Sequence, residues 1–325
     1  MAKIFFPLDN RGFSYYKNIS NAGVDNPDVF LYYGIQTPLL NKIYQYHNNW
    51  RFNQQFELPL KNYWFEESIR RIPDLGDEDI FFVFLEVYML SYSRKYINFL
   101  KKRFKRPHFV FYFYNPITCA LWDKFCHVKD MYDLVATFNQ NDAIKYKIEY
   151  FPYFPYKIKN CIENTHDIVS DVFFVGSAKG RLPRLLTIYE ELTCQGIACD
   201  FHIVGVPAEY QKYSSDISYN KIIPYDEVIQ RVSNTKCVLE VLQEGCEYVS
   251  IRSCEAFQLK KKLITTNSKI TDSHFYNSDV VQIIKDGSPI NISFINSQVE
   301  DACYNDLIKN TTFDSLFDFL KNKLL

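Results

Sequence analysis

The chain has 325 residues, 47% of them hydrophobic and 17% aromatic, with 37 basic side chains set against 38 acidic ones for a net charge of -1. That length suits two domains of about 150 residues each, and so much apolar material excludes a disordered chain. The balanced charge carries no polyanion-binding signature, so no nucleic-acid partner is expected.

In chain order, KIFF (3–6) and DVFLYY (28–33) read as the first two strands. A helix over 62–72 leads into the strand DIFFVFL (79–85), and the amphipathic SRKYINFLKKRF (93–104) runs into HFVFYFY (108–114). DLVATF (133–138) and IEYFP (148–152) follow. Pro152 and Pro155, within EYFPYFPYKIKN (149–160), break the alternation and place a domain boundary there.

The second half is clearer. DVFFVG (171–176) is an apolar, β-branched and aromatic run stopped by glycine. The next segment carries Leu182, Leu185, Leu186, Tyr189 and Leu192 at helical spacing, with Gly196 where a C′ glycine belongs. DFHIVGV (200–206) is a strand, and YDEVIQRVS (225–233) is a short helix with Asp226 as candidate N-cap. The strand KCVLEVL (236–242), a helix SCEAFQLK (253–260) and the strands KLITT (262–266) and VVQII (280–284) complete the pattern. TFDSLFDFLKNKLL (312–325) reads as a terminal amphipathic helix.

Strands alternating with helices across short loops predict α/β domains, each a mostly parallel sheet covered on both faces. The expected architecture is two Rossmann-like domains, 1–155 and 156–311, facing each other across a cleft. The helix 312–325 can pack back on the first of them. Ligand sites then belong at the carboxyl ends of the two sheets.

Nine cysteines are scattered without a C-x-x-C pair, and six histidines without an H-x-x-x-H pair, so neither a disulfide framework nor a zinc site is expected. The N-terminus has only a four-residue apolar run, Ile4 to Pro7, before Asp9 and Arg11, too short for a secretion signal. No apolar stretch reaches the roughly eighteen residues that span a bilayer. A cytoplasmic protein is the expectation.

Two strand ends carry candidate chemistry. After 171–175 comes GSAKGRLPR: Gly176 and Gly180 permit close backbone approach, Ser177 offers a hydroxyl, and Lys179 and Arg181 offer cations ahead of a helix. Such a turn suits a phosphate or pyrophosphate, though a plain solvated turn has the same composition. After KCVLEVL, the segment SIRSCEAF starts a helix whose first turns carry Arg252 and Glu255. Glu255 is either a carboxylate favoured by the helix dipole or a ligand for a ribose diol.

The strand ending in VLE, the glycine-bearing loop QEGCEYVS, then SIRSCEAF and KKLITT, resembles the C-terminal domain of GT-B fold glycosyltransferases. It is similar in particular to retaining enzymes with an E-x7-E element, whose spacing Glu247 and Glu255 share. FVGSAKGR, FHIVGV and IIPYDEVIQRVSNTKCVLE fall in the order that fold demands. FYFYNPI (111–117) and the stretch 133–152 resemble the N-terminal domains of bacterial transferases that build capsule or lipopolysaccharide.

The resemblance implies roles. Gly176, Ser177, Lys179 and Arg181 would hold a donor diphosphate, and Tyr225 would lie near the base. Ser250 and Ile251 would present backbone amides to the phosphates beside Arg252. Glu255 would bind the donor ribose, and Glu247 would face the donor sugar. The chain departs from the family in two places. Tyr248-Val249 stands where a Gly-Phe-Gly-like stretch is usual, and Gly12 stands alone where a glycine pair often serves the acceptor or phosphate.

With no Asp-x-Asp pair at a strand end, the expected enzyme is metal-independent and cofactor-free, with a nucleotide sugar as co-substrate. Its acceptor would be a glycan or lipid-linked glycan. An inverting enzyme would also need a base, for which Glu86 and Asp9 are candidates, and Asn115 is a candidate cleft residue. Glu86 can equally be a surface residue at a strand end, and the Asn115-Pro116 step an ordinary turn. The basic segment 94–106 suits either contact with the inner membrane or a solvated helix face. A sugar-nucleotide epimerase and a non-catalytic GT-B binding protein are the alternative readings.

Overall fold

Runs such as DIFFVFL are apolar on both faces, and such strands are stable only where helices cover the sheet on both sides. The computed structural model describes residues 2–8, 16–48, 58–86, 94–152, 155–158, 168–243, 248–285 and 287–325. Its contacts divide the chain into two compact units, Met1–Lys157 with Thr311–Leu325, and Ile158–Asn310.

The first unit contains strands β1 (Lys3–Pro7), β2 (Val29–Tyr32), β3 (Asp79–Leu85), β4 (Arg106–Phe113), β5 (Leu134–Thr137) and β6 (Glu149–Tyr150). They form one sheet in the order β2-β1-β3-β4-β5-β6, with every pairing parallel. The helices between them are α1 (Tyr16–Gly23), α2 (Pro38–His47), α3 (Asn62–Ile69), α4 (Arg94–Arg103), α5 (Cys119–Cys126) and α6 (Gln140–Tyr146).

The two-residue period of the strands sorts their side chains. Phe5, Phe82, Phe84, Phe109, Phe111 and Phe113 enter one core layer with Ile69, Ile97 and Phe125 from the helices. Ile4, Phe6, Phe81, Val83, Leu85 and Val110 enter the other with Ile19. This second layer is completed by Phe313, Leu316, Phe317 and Leu320 from the terminal helix, Phe313–Leu324. Many of the abundant aromatics therefore serve as core.

The second unit contains β7 (Ser170–Ser177), β8 (Cys199–Val204), β9 (Ser218–Tyr219), β10 (Thr235–Glu240), β11 (Lys262–Thr265) and β12 (Val281–Ile283). Their order is β12-β11-β10-β7-β8-β9, again with parallel pairings. Helices α7 (Leu182–Cys194), α8 (Tyr225–Ser233), α9 (Ile251–Gln258), α10 (Ile292–Asn296) and α11 (Asp301–Ile308) connect and follow them, and the terminal helix of the first unit is α12. Val172, Phe174, Phe201, Ile203, Leu239 and Ile264 pack with Leu185, Ile188 and Leu192 of α7.

Two helix starts differ from expectation. Pro224, with extended backbone, occupies the N-cap of α8, so Asp226 lies inside the first turn instead of capping it. The carboxylate still meets the positive end of the helix. Helix α9 begins at Ile251, earlier than the apolar pattern indicates, because the Ser250 hydroxyl caps it by accepting from the Arg252 N–H at 3.1 Å.

In each sheet the winding reverses. From β7 the chain builds outward through β8 and β9, then returns to lay β10, β11 and β12 on the other side. The reversal falls between β7 and β10, and in the first unit between β1 and β3. In parallel α/β sheets the crevice outside the carboxyl ends at such a reversal is where ligands bind. Among the described residues no helix is long and apolar enough to cross a membrane.

Candidate functional site

The turn leaving β7 is shaped by two successive left-handed residues, Lys179 (φ 39°) and Gly180 (φ 82°), which swing the chain into α7. Lys179 is exposed, while Ser177 and Gly176 are half-buried. A Cβ on Gly176 would lie 3.1 Å from Nη2 of Arg181, so the glycine makes room for that guanidinium. Arg181 donates through Nε and Nη2 to the Ser177 carbonyl at 3.1 and 2.9 Å, and through Nη1 to the Val241 carbonyl. Ser177 ends β7 and Val241 follows β10, so Arg181 bridges the two strands at the point where the winding reverses. At the neighbouring end of β8, a Cβ on Gly205 would sit 3.4 Å from the Ser177 hydroxyl oxygen.

The other wall is built on α9. Glu255 is 0% exposed, and its carboxylate accepts from the Tyr225 hydroxyl at 2.7 Å and from the Arg252 guanidinium. Three of the residues nominated from sequence thus form one constellation, with Tyr225 supplied by the start of α8 and the pair by successive turns of α9. Ser250 caps that helix, and Ile251, its first residue, is exposed.

Sequence reasoning missed Glu240. This last residue of β10 is 5% exposed, and its carboxylate accepts from the hydroxyls of Ser250, Ser253 (2.8 Å) and Thr265 (2.6 Å). The available signal was a carboxylate interrupting an apolar run at the carboxyl end of a parallel strand. Burial, then the nearby Glu255 and Glu240, push the neighbouring Cys254 thiol up to about 12, which keeps it protonated at neutral pH.

In the first unit the structure brings together Glu86 and Asn115, which follow β3 and β4. The Asn115 backbone N–H donates to Glu86 Oε2 at 3.3 Å, and its side-chain amide donates to Oε1. Burial pushes the Glu86 carboxyl up to about 7, against the opposing effect of the Asn115 hydrogen bonds. A carboxyl titrating there can take a proton at neutral pH. Gly12, Asp9 and Glu247 lie outside the described residues.

No protein-family model matches the chain, and no curated protein matches it. Solved structures do. OtsA in its apo form aligns with a TM-score of 0.52 at 10% identity, covering 100% of this chain and 99% of that one. An α-glucosyltransferase in complex with UDP and a 13-mer DNA containing a central A:G mismatch aligns with a TM-score of 0.51 at 11% identity, covering 99% and 93%. The fold is GT-B. At such identities the likeness is one of fold, so function has to be argued from the site itself.

Proposed function

We propose that the chain is a glycosyltransferase that binds a nucleotide sugar at the carboxyl end of its second sheet. The observation that carries this reading is the buried Glu255 carboxylate, held by Tyr225 and Arg252 in the opening turns of a helix beside the β7/β10 reversal. A buried carboxylate beside a helix start suits a ribose diol together with the phosphates attached to it.

In this reading the amides of Ser250 and Ile251 receive phosphate oxygens, and Lys179 and Arg181 supply charge from the opposite wall. Arg181, resting on strand carbonyls, stands ready to share its donors with the diphosphate. Gly176 and Ser177 let the donor approach the backbone. Positive groups fixed before the donor arrives stabilise charge developing on the leaving diphosphate, and a metal ion is not required.

The finer assignments follow the resemblance. Glu247 faces the donor sugar, the course is retaining, and the acceptor is a glycan or lipid-linked glycan of bacterial surface polysaccharide such as capsule or lipopolysaccharide. The enzyme then works in the cytoplasm, with peripheral contact at the inner face of the membrane. One observation favours an inverting course as the second reading: Glu86, bound to Asn115 and titrating near neutrality, has the properties of a base for an acceptor hydroxyl.

Incubation with a panel of nucleotide sugars, with and without glycan acceptors, tests the reading. Acceptor-dependent release of nucleoside diphosphate supports a transferase. Interconversion of the sugar without an acceptor replaces it with an epimerase, and binding without turnover in any mixture replaces it with a non-catalytic protein.

A further inference from the structure

We infer that Glu240 is a positioning residue that decides which groups at the start of α9 face the donor. The inference rests on the donor-site reading above. Burying a carboxylate is costly unless it is well bonded, and the usual partner is a cation. The hydrogen bonds to Glu240 instead come from the hydroxyls of Ser250, Ser253 and Thr265.

All three hydroxyls donate to this carboxylate, so their hydrogens point at it. For Ser250 this fixes the polarity of the whole helix start. Its hydrogen is committed to Glu240, and its oxygen accepts the Arg252 backbone N–H at 3.1 Å. The Ser250 hydroxyl is therefore not a phosphate donor. The groups left toward a ligand are the Ser250 and Ile251 amides and the Arg252 guanidinium, which also pairs with Glu255.

Glu240 reaches these residues from a rigid base. It lies opposite Thr265 in the β10/β11 ladder, and the Thr266 N–H donates to its backbone carbonyl at 3.1 Å. By holding Ser250 at the N-cap and Ser253 one turn into the helix, it ties the helix start to the strand end. Nothing in this arrangement places Glu240 on the donor itself, since its carboxylate is enclosed by the hydroxyls it orders.

The test measures binding of UDP, GDP and inorganic pyrophosphate to wild type, Glu240→Met, Glu240→Gln and Ser250→Ala, with thermal melting of each. Methionine fills the space without accepting hydrogen bonds. Glutamine still accepts from both serines while its amide donates to Thr265. Glu240→Met should stay folded yet bind the best of these probes about tenfold more weakly, with Glu240→Gln restoring affinity to within about threefold. Ser250→Ala should lose affinity to a similar extent, and the double variant Glu240→Met/Ser250→Ala should lose no more than either alone.

Wild-type affinity in a folded Glu240→Met protein overturns the inference. Should that variant fail to fold, unchanged affinity in Ser250→Ala overturns it instead. If wild type binds none of the three probes, the donor-site reading fails first and the inference falls with it. Equal losses in the methionine and glutamine variants also contradict it, because hydroxyl polarity would then not be the relevant property.

Discussion

Asn115 holds the Glu86 carboxyl from two sides, with its backbone N–H on Oε2 and its side-chain amide on Oε1. Burial raises this carboxyl to about 7, and both Asn115 bonds oppose the rise by favouring the charged form. If Glu86 is the base, kcat/KM should fall as pH drops through about 7. Asn115→Leu removes the side-chain donor, so the acidic limb should move to higher pH by about half a unit to one unit. A limb that stays in place in a pH–rate profile of that variant removes Glu86 from the role.

The same carboxyl makes a separate prediction about stability. Its folded value of about 7 lies above the ordinary 4.5, so the folded state binds the proton more tightly than the unfolded chain. That contribution is fully present below pH 4.5 and is lost as pH rises through about 7. Glu86→Gln, which cannot ionise, should therefore gain about 1–3 kcal/mol over wild type at pH 8 and little at pH 4. Thermal melts of both proteins at the two pH values provide the check.

Glu255 is enclosed against Tyr225 and Arg252, so replacing its carboxylate should be felt in binding. Glu255→Gln should weaken the donor by roughly 1–3 kcal/mol. Tyr225→Phe removes one neutral donor and should cost less, about 0.5–1.5 kcal/mol. Titration calorimetry with the nucleotide selected by the panel measures both. Unchanged affinity in a folded Glu255→Gln protein takes Glu255 out of the site.

The β7–α7 turn separates crowding from backbone strain. A methyl on Gly176 meets the tip of Arg181 at 3.1 Å and the Phe174 ring at 3.3 Å. Gly176→Ala should therefore shift the Arg181 guanidinium, costing about 1 kcal/mol of stability and raising the donor KM. Gly180→Ala has open space around it, but its φ of 82° disfavours any Cβ. It should cost about 1 kcal/mol through the backbone alone. Melting curves with donor KM values for the two variants distinguish the effects.

Much of this framework was legible because periodicity reports burial directly. DIFFVFL is the strand Asp79–Leu85, and YDEVIQRVS is the helix Tyr225–Ser233. Some of the elements that were missed had no such signal. Helix α2 buries none of its side chains, α10 is a five-residue piece, and β9 has only two residues. The site was legible as residue types at strand ends, but not as partnerships. Glu255 and Tyr225 lie thirty positions apart, and only the return of the chain to the second side of the sheet makes them neighbours. Glu240 was hidden for the opposite reason, because inside KCVLEVL it reads as part of a core strand. Its meaning comes from hydroxyls on β11 and α9 that no local pattern assigns to it.

In the proposed function the crevice where β7 meets β10 holds a nucleotide. Hydrogen exchange of the full chain with and without a saturating nucleoside diphosphate tests it most directly. Exchange should slow over 176–181 and 248–255, with the same segments left unprotected in Glu255→Gln at equal ligand concentration. Saturable binding that protects neither segment would contradict it.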